Sequence, residues 1–208
     1  MLRLLLALFL VQAAAQAADH VLEANRCNLR PSLVEVSKRV LTYAAKGDFE
    51  RANKAAKYLE PIYAGLEKEQ VLPPKTMIPL APKLKAKDVL GIRESLRRMI
   101  LADIHYLLSG LNRAPTKGGL HPRTRLLMAQ QDWKFLEATL PKTKEGDKVK
   151  LAIGKLLQAL IQTVPNKSNY NDASGSWEQK AELITKNILQ LLDQAILPPP
   201  PDKEEENG

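Results

Sequence analysis

Apolar side chains return at steps of three and four through most of this chain, the period of an amphipathic helix. Leu33, Val36, Val40 and Tyr43 mark the first such face and predict a helix over about 31–46, with Pro31 in its first turn. Gly47 offers the left-handed backbone that ends a helix, and Asp48 can cap the next one. Phe49, Ala52, Ala56, Leu59, Tyr63 and Leu66 form the second face. Pro61 lies inside it and predicts a kink or a split near Glu60, because proline lacks a donor and clashes with the preceding turn. Residues 31–70 are thus expected to form a helical hairpin.

Pro73, Pro74, Pro79 and Pro82 then predict an extended linker over 71–87, with no regular helix in it. The third helix, about 88–112, carries the broadest apolar stripe: Ile92, Leu96, Ile100, Ile104, Leu107, Leu108 and Leu111. A fourth, about 123–140, presents Leu126, Ala129, Trp133, Leu136 and Leu140, and Pro141 with the run KTKEGDK is expected to stop it. The fifth, about 148–164, presents Val149, Ile153, Leu156, Leu157, Leu160 and Val164. The polar run NKSNYNDASG reads as a loop, after which Ser176 and Gln179 form a capping-box pair for a sixth helix with Trp177, Ala181, Ile184, Ile188, Leu191 and Ala195 on one face. No segment alternates with period two. The expected fold class is all-α, an up-and-down bundle of five to six helices over 31–197, with 88–197 as its main part. The proline-rich, acidic tail at 198–208 is expected to bury nothing.

Two stretches look alike: AAKGDFERANKAA at 44–56 and MAQQDWKFLEATL 84 residues later. The same shift lays Met99, Ile100, Ile104, Leu107 and Leu108 on Leu183, Ile184, Ile188, Leu191 and Leu192, which raises a duplication into two related halves. Gln131 stands where Gly47 would fall, so the fourth helix is free to run straight through. The fragment GDFERA is similar to the inter-helix turn of tetratricopeptide repeats, but that family's unit is much shorter and needs several copies. Only one such turn is legible, so a bundle is expected in preference to an array.

Composition supports this reading. The hydrophobic fraction is 45% and the aromatic fraction only 5%, with Leu, Ala, Ile and Val dominant, which favours helix over strand. The chain opens with Arg3, an apolar run from Leu4 to Val11 and small residues to Ala17. That is the plan of a secretory signal peptide over 1–17, expected to be cut after Ala17, with 18–30 as an extension before the bundle. The apolar run is too short to span a bilayer. The expected location is extracytoplasmic, periplasmic or secreted. Cys27 is the only cysteine, which rules out an intrachain disulfide; an inert, half-buried thiol is expected, with a bond to another chain as the alternative.

The net charge of +8 predicts attraction to acidic partners. Export argues against nucleic acid, so an acidic protein surface or an anionic membrane face is expected. Lys83, Lys85, Lys87, Arg93, Arg97 and Arg98 crowd one end of the linker and third helix, and Arg113, Lys117, Arg123 and Arg125 form a second group. Glu204 to Glu206 could compete for the same cations within the chain.

Chemistry is sparse. No glycine-rich phosphate loop, His-Glu-x-x-His motif or Gly-x-Ser-x-Gly elbow occurs, so no enzyme activity and no cofactor are expected. One conditional metal site is legible. After cleavage at Ala17 the chain would begin Ala18-Asp19-His20, whose amine, two amides and imidazole can wrap Cu(II) or Ni(II) in a square plane. His105 lies beside Asp103, but two residues apart on a helix they point in different directions. It would become catalytic only if a pocket converged on it with carboxylates from other helices.

Overall fold

The structure, a computed structural model, describes residues 32–111, 120–140, 142–165 and 170–197, with only the backbone described for 170–176. All eight elements among the described residues are helices: α1 Leu33–Ala45, α2 Phe49–Ala56, α3 Glu60–Glu69, α4 Leu80–Lys85, α5 Val89–Ser109, α6 Pro122–Glu137, α7 Lys144–Thr163 and α8 Tyr170–Ile196. No described helix is long and apolar enough to cross a membrane. The leader expected over 1–17, Cys27 and the acidic tail lie outside the described residues.

α5 is the hub. It packs against α1, α3, α4, α6 and α8, while α2 bridges α1 and α4, and α7 bridges α6 and α8. Six consecutive residues of α5, Met99 to Ile104, are all buried, which exceeds one turn and means that the helix is covered on every side there. Ile92, Leu96, Leu107 and Leu108 complete the seam expected from the sequence, and Leu111 extends it past the helix end. The apolar residues of all eight helices join one cluster around it.

The helix ends follow local chemistry. Ser32 caps α1 in a reciprocal capping box with Glu35. Pro61 splits the second predicted helix where expected: α2 ends at Ala56, and α3 restarts at Glu60 with the proline in its first turn. α1 closes in a left-handed turn at Gly47, φ +76°. There the Asp48 N–H reaches the Tyr43 carbonyl at 2.9 Å and the Gly47 N–H reaches Ala44 at 3.0 Å. Asp48 then caps α2 through the Arg51 N–H at 3.1 Å.

Three expectations are corrected. The linker over 71–87 contains the short helix α4, because Pro82 sits in its first turn, where an N–H has no intrahelical partner to lose. The run KTKEGDK does not merely stop a helix. Thr143 accepts the Gly146 N–H at 3.0 Å and starts α7, with Glu145 and Asp147 in the first turn, where the helix dipole favours acids. The loop expected over 166–175 is helical from Tyr170 on, so Ser176 lies inside α8 and not at its start. Once the packed stretch from Trp177 nucleates the helix, each added residue gains a backbone bond, and even Gly175 costs only about 1 kcal/mol.

A fourth correction concerns the repeat. Asp48 caps a helix, whereas Asp132 is buried in the interior of α6, and Leu183 is 64% exposed where Met99 is buried. The true copy of the Gly47 turn lies 40 residues on, at Lys87-Asp88. Lys87 is left-handed at φ +56°, the Asp88 N–H reaches the Lys83 carbonyl at 3.0 Å, the Lys87 N–H reaches Leu84 at 3.1 Å, and Asp88 caps α5. A lysine pays for that conformation. Lys87→Gly is therefore expected to stabilise the protein, since relief of about 1–2 kcal/mol of left-handed strain outweighs the roughly 0.5–1 kcal/mol of extra chain entropy. Urea unfolding would read it as a higher midpoint at unchanged slope.

Candidate functional site: a cationic groove beside the first hairpin

The two capped turns lie close together, because α2 packs on α4 and the Lys87 ammonium sits 6.0 Å from the centre of the Phe49 ring. Asp88 is held at this junction by the Gly91 N–H at 2.8 Å and by Lys83 at 3.4 Å. The amide bond first, and the ammonium after it, keep its carboxyl below the usual carboxylate range. A depressed folded value means that the unfolded chain binds the proton more readily. The contribution is thus complete above the unfolded value near 3.9 and is lost as pH falls through the folded one. Asp88→Asn should lower the urea midpoint at neutral pH, and that deficit should shrink below about pH 4.

The expected basic residues separate once folded. Lys85, Lys87, Arg93 and Arg123 are exposed. Lys83 is engaged by Asp88. Arg97 and Arg98 clasp the same carboxylate, Glu94, at 3.0 and 2.8 Å, and Arg98 also donates to the Thr76 carbonyl at 3.0 Å. Arg98 thus ties the linker to α5, and both guanidiniums are mostly covered. Arg125 leaves the surface set altogether. It is buried beneath the end of α5, with its guanidinium 5.4 Å from the Tyr106 ring centre, and a side chain at Gly110 would collide with it. Buried charges are expensive unless compensated, and Asp103 and Asp132 are buried as well, each engaged like Arg125. Arg113 and Lys117 lie outside the described residues, as do Ala18, Asp19 and His20. Among the described residues, no group of three or more His, Cys, Asp or Glu side chains could hold a metal ion.

His105 meets a carboxylate from another helix: its Nε2 lies 2.8 Å from Asp193 Oδ1 on α8. The pair joins two helices 88 residues apart in sequence. His121 caps α6, its Nδ1 accepting the Arg123 N–H at 3.2 Å.

A further set of accessible cations lies elsewhere. Arg39 on α1, Arg51 and Lys54 on α2, and Lys57 just past its end line a groove of about 610 Å³, together with Tyr43, Ala55 and Tyr58. No acidic residue lines it. Arg51 and Lys54 are paired with Asp48 at 3.4 Å and Glu50 at 2.8 Å, but both cations and Glu50 are well exposed and Asp48 is only half-buried, so these pairs hold little against a competitor. Arg39 and Lys57 face no carboxylate within ion-pair distance among the described residues. Tyr58 is 60% exposed, an amphipathic ring beside four cations.

Sequence reading missed this groove because its cations are interleaved with Glu35, Asp48, Glu50 and Glu60. One signal was available: Arg51, Lys54 and Lys57 fall at steps of three, on one side of a helix. The fold and the groove define the protein as an all-helical bundle with a basic, aromatic-walled cleft. Comparison with protein-family models, with curated proteins and with solved structures found no match for this chain.

Proposed function

We propose that this is an exported, non-enzymatic interaction protein, an accessory or scaffold subunit that docks an acidic protein surface in its cationic groove. The observation that carries the reading is the groove itself: four cations, two tyrosines and no acid along its walls. The leader-like sequence over 1–17 supports export, and the absence of catalytic motifs supports a binding role.

A protein partner is favoured over a membrane face by shape. A bilayer presents a broad surface that meets flat or convex cationic patches, whereas Arg39, Arg51, Lys54 and Lys57 line a shallow, open groove together with Tyr43 and Tyr58. Projecting carboxylates can enter it. Exposed Lys85, Lys87 and Arg93 would add long-range attraction and speed encounter.

The test is a titration of the full chain with a labelled glutamate-rich peptide at about 50 and about 500 mM salt, with anionic vesicles in parallel. Peptide binding that weakens steeply with salt supports the reading. Salt-indifferent binding, or binding to vesicles alone, rejects it.

A further inference from the structure

Lys57 lines two concavities, and α2 is the wall between them. On one side is the cationic groove. On the other is a cleft of about 320 Å³ between α2, α3 and α4, floored by the buried side chains of Ala56, Leu59, Leu84 and Met99 and rimmed by Leu80, the exposed Ala81 and one exposed carboxylate, Glu60. Its volume lies at the bottom of the range of ligand pockets, about 300–1,000 Å³, which suits one or two large apolar side chains better than a cofactor. Tyr63 stands in the wall; burial pushes its hydroxyl above the usual phenol range, which keeps it a hydrogen-bond donor.

Resting on the docking reading above, we propose that the partner segment is an acidic peptide with a large apolar anchor beside its carboxylates. The carboxylates lie along Arg51, Lys54 and Lys57, and the anchor enters the cleft past Lys57. Charge complementarity and spacing support this occupant. Three-residue steps on a helix rise about 4.5 Å, so the three cations span about 9 Å. An extended chain rises about 3.3 Å per residue and covers that distance in about three residues. A lipid headgroup concentrates its charge on one phosphate and would meet this row at a single point.

The experiment compares three labelled peptides of equal length against the full chain by fluorescence anisotropy. One carries Glu-Glu-Glu-Leu-Trp, one replaces Leu-Trp by Ala-Ala, and one replaces the glutamates by glutamine. The first is expected to bind at least about tenfold more tightly than the second, as burial of a large apolar side chain implies. Ala81→Trp, which fills the cleft from its exposed rim, should erase that advantage and leave the Ala-Ala peptide unaffected. Leu80→Gln, which removes part of the apolar rim, should reduce the advantage in the same sense. Equal affinity of the two acidic peptides, or an advantage that survives both variants, overturns the cleft assignment while leaving the docking reading intact. Salt-independent binding of both glutamate peptides, or equal binding of the glutamine peptide, overturns the docking reading itself. Phosphatidylglycerol vesicles that displace the peptide from the wild-type chain but not from Ala81→Trp would assign the cleft to a lipid chain and overturn the proposal.

Discussion

Ile100→Ala is expected to destabilise the protein by about 2–5 kcal/mol, a large share of the roughly 5–15 kcal/mol that holds a typical domain folded. Ile100 is fully buried at the middle of α5, among five other consecutive buried residues, in the helix that touches α1, α3, α4, α6 and α8. Removing its methylene and methyl groups loses their transfer energy and leaves a cavity that five surrounding helices cannot all close. Alanine's better helix propensity returns only a few tenths of a kcal/mol. Leu90→Ala on the same helix, at a residue 73% exposed, should change stability by no more than about 0.5 kcal/mol. Urea unfolding of both variants, read as midpoint shifts at constant slope, is the measurement. A cost near that of Leu90→Ala would mean that α5 is not enclosed.

The second large effect is on binding. Arg39→Glu combined with Lys57→Glu reverses the two groove cations that have no carboxylate partner among the described residues. At about 5 Å in water, one pair of unit charges interacts by about 0.8 kcal/mol, so two reversals change the energy by roughly 3 kcal/mol before screening. Physiological salt, with a Debye length of about 8 Å, reduces this to nearly 2 kcal/mol, or about twentyfold in affinity for the glutamate-rich peptide. Near 1 M salt the difference should shrink to about threefold. Both residues are exposed, so the urea midpoint should be unchanged, which separates loss of the groove from loss of the fold. Equal affinities of variant and wild type at low salt would remove the groove from consideration.

Much of the architecture was legible because helix periodicity is local. The faces of α1, α5 and α6 were readable residue by residue: Leu126, Ala129, Trp133, Leu136 and Leu140 are all buried. The turn at Gly47, the cap at Asp48 and the split at Pro61 follow from backbone chemistry that each residue carries with it. What misled were signals whose meaning depends on position within an element. Pro82 breaks a helix interior but is tolerated in a first turn, and the KTKEGDK run begins a helix because Thr143 can cap it. The turn at Lys87-Asp88 was missed because its left-handed residue is not a glycine. On α8 the buried line runs through Thr185, Ile188, Leu192 and Ile196, rotated from the Ile184 and Leu191 face, because contacts with α5 and α7 set which side turns inward.

The basic residues show the limit most clearly. The sequence by itself determined the helical class, the segment faces, the excess positive charge and the scarcity of reactive groups, since these depend on side-chain type and on neighbours within a turn or two. Only the tertiary structure decided which cations remain available. It buried Arg125, spent Arg97 and Arg98 on Glu94, and brought Arg39 from one helix beside Arg51, Lys54 and Lys57 from the next. Desolvation and ion pairing depend on what surrounds a charge in space, and packing between helices supplies those surroundings.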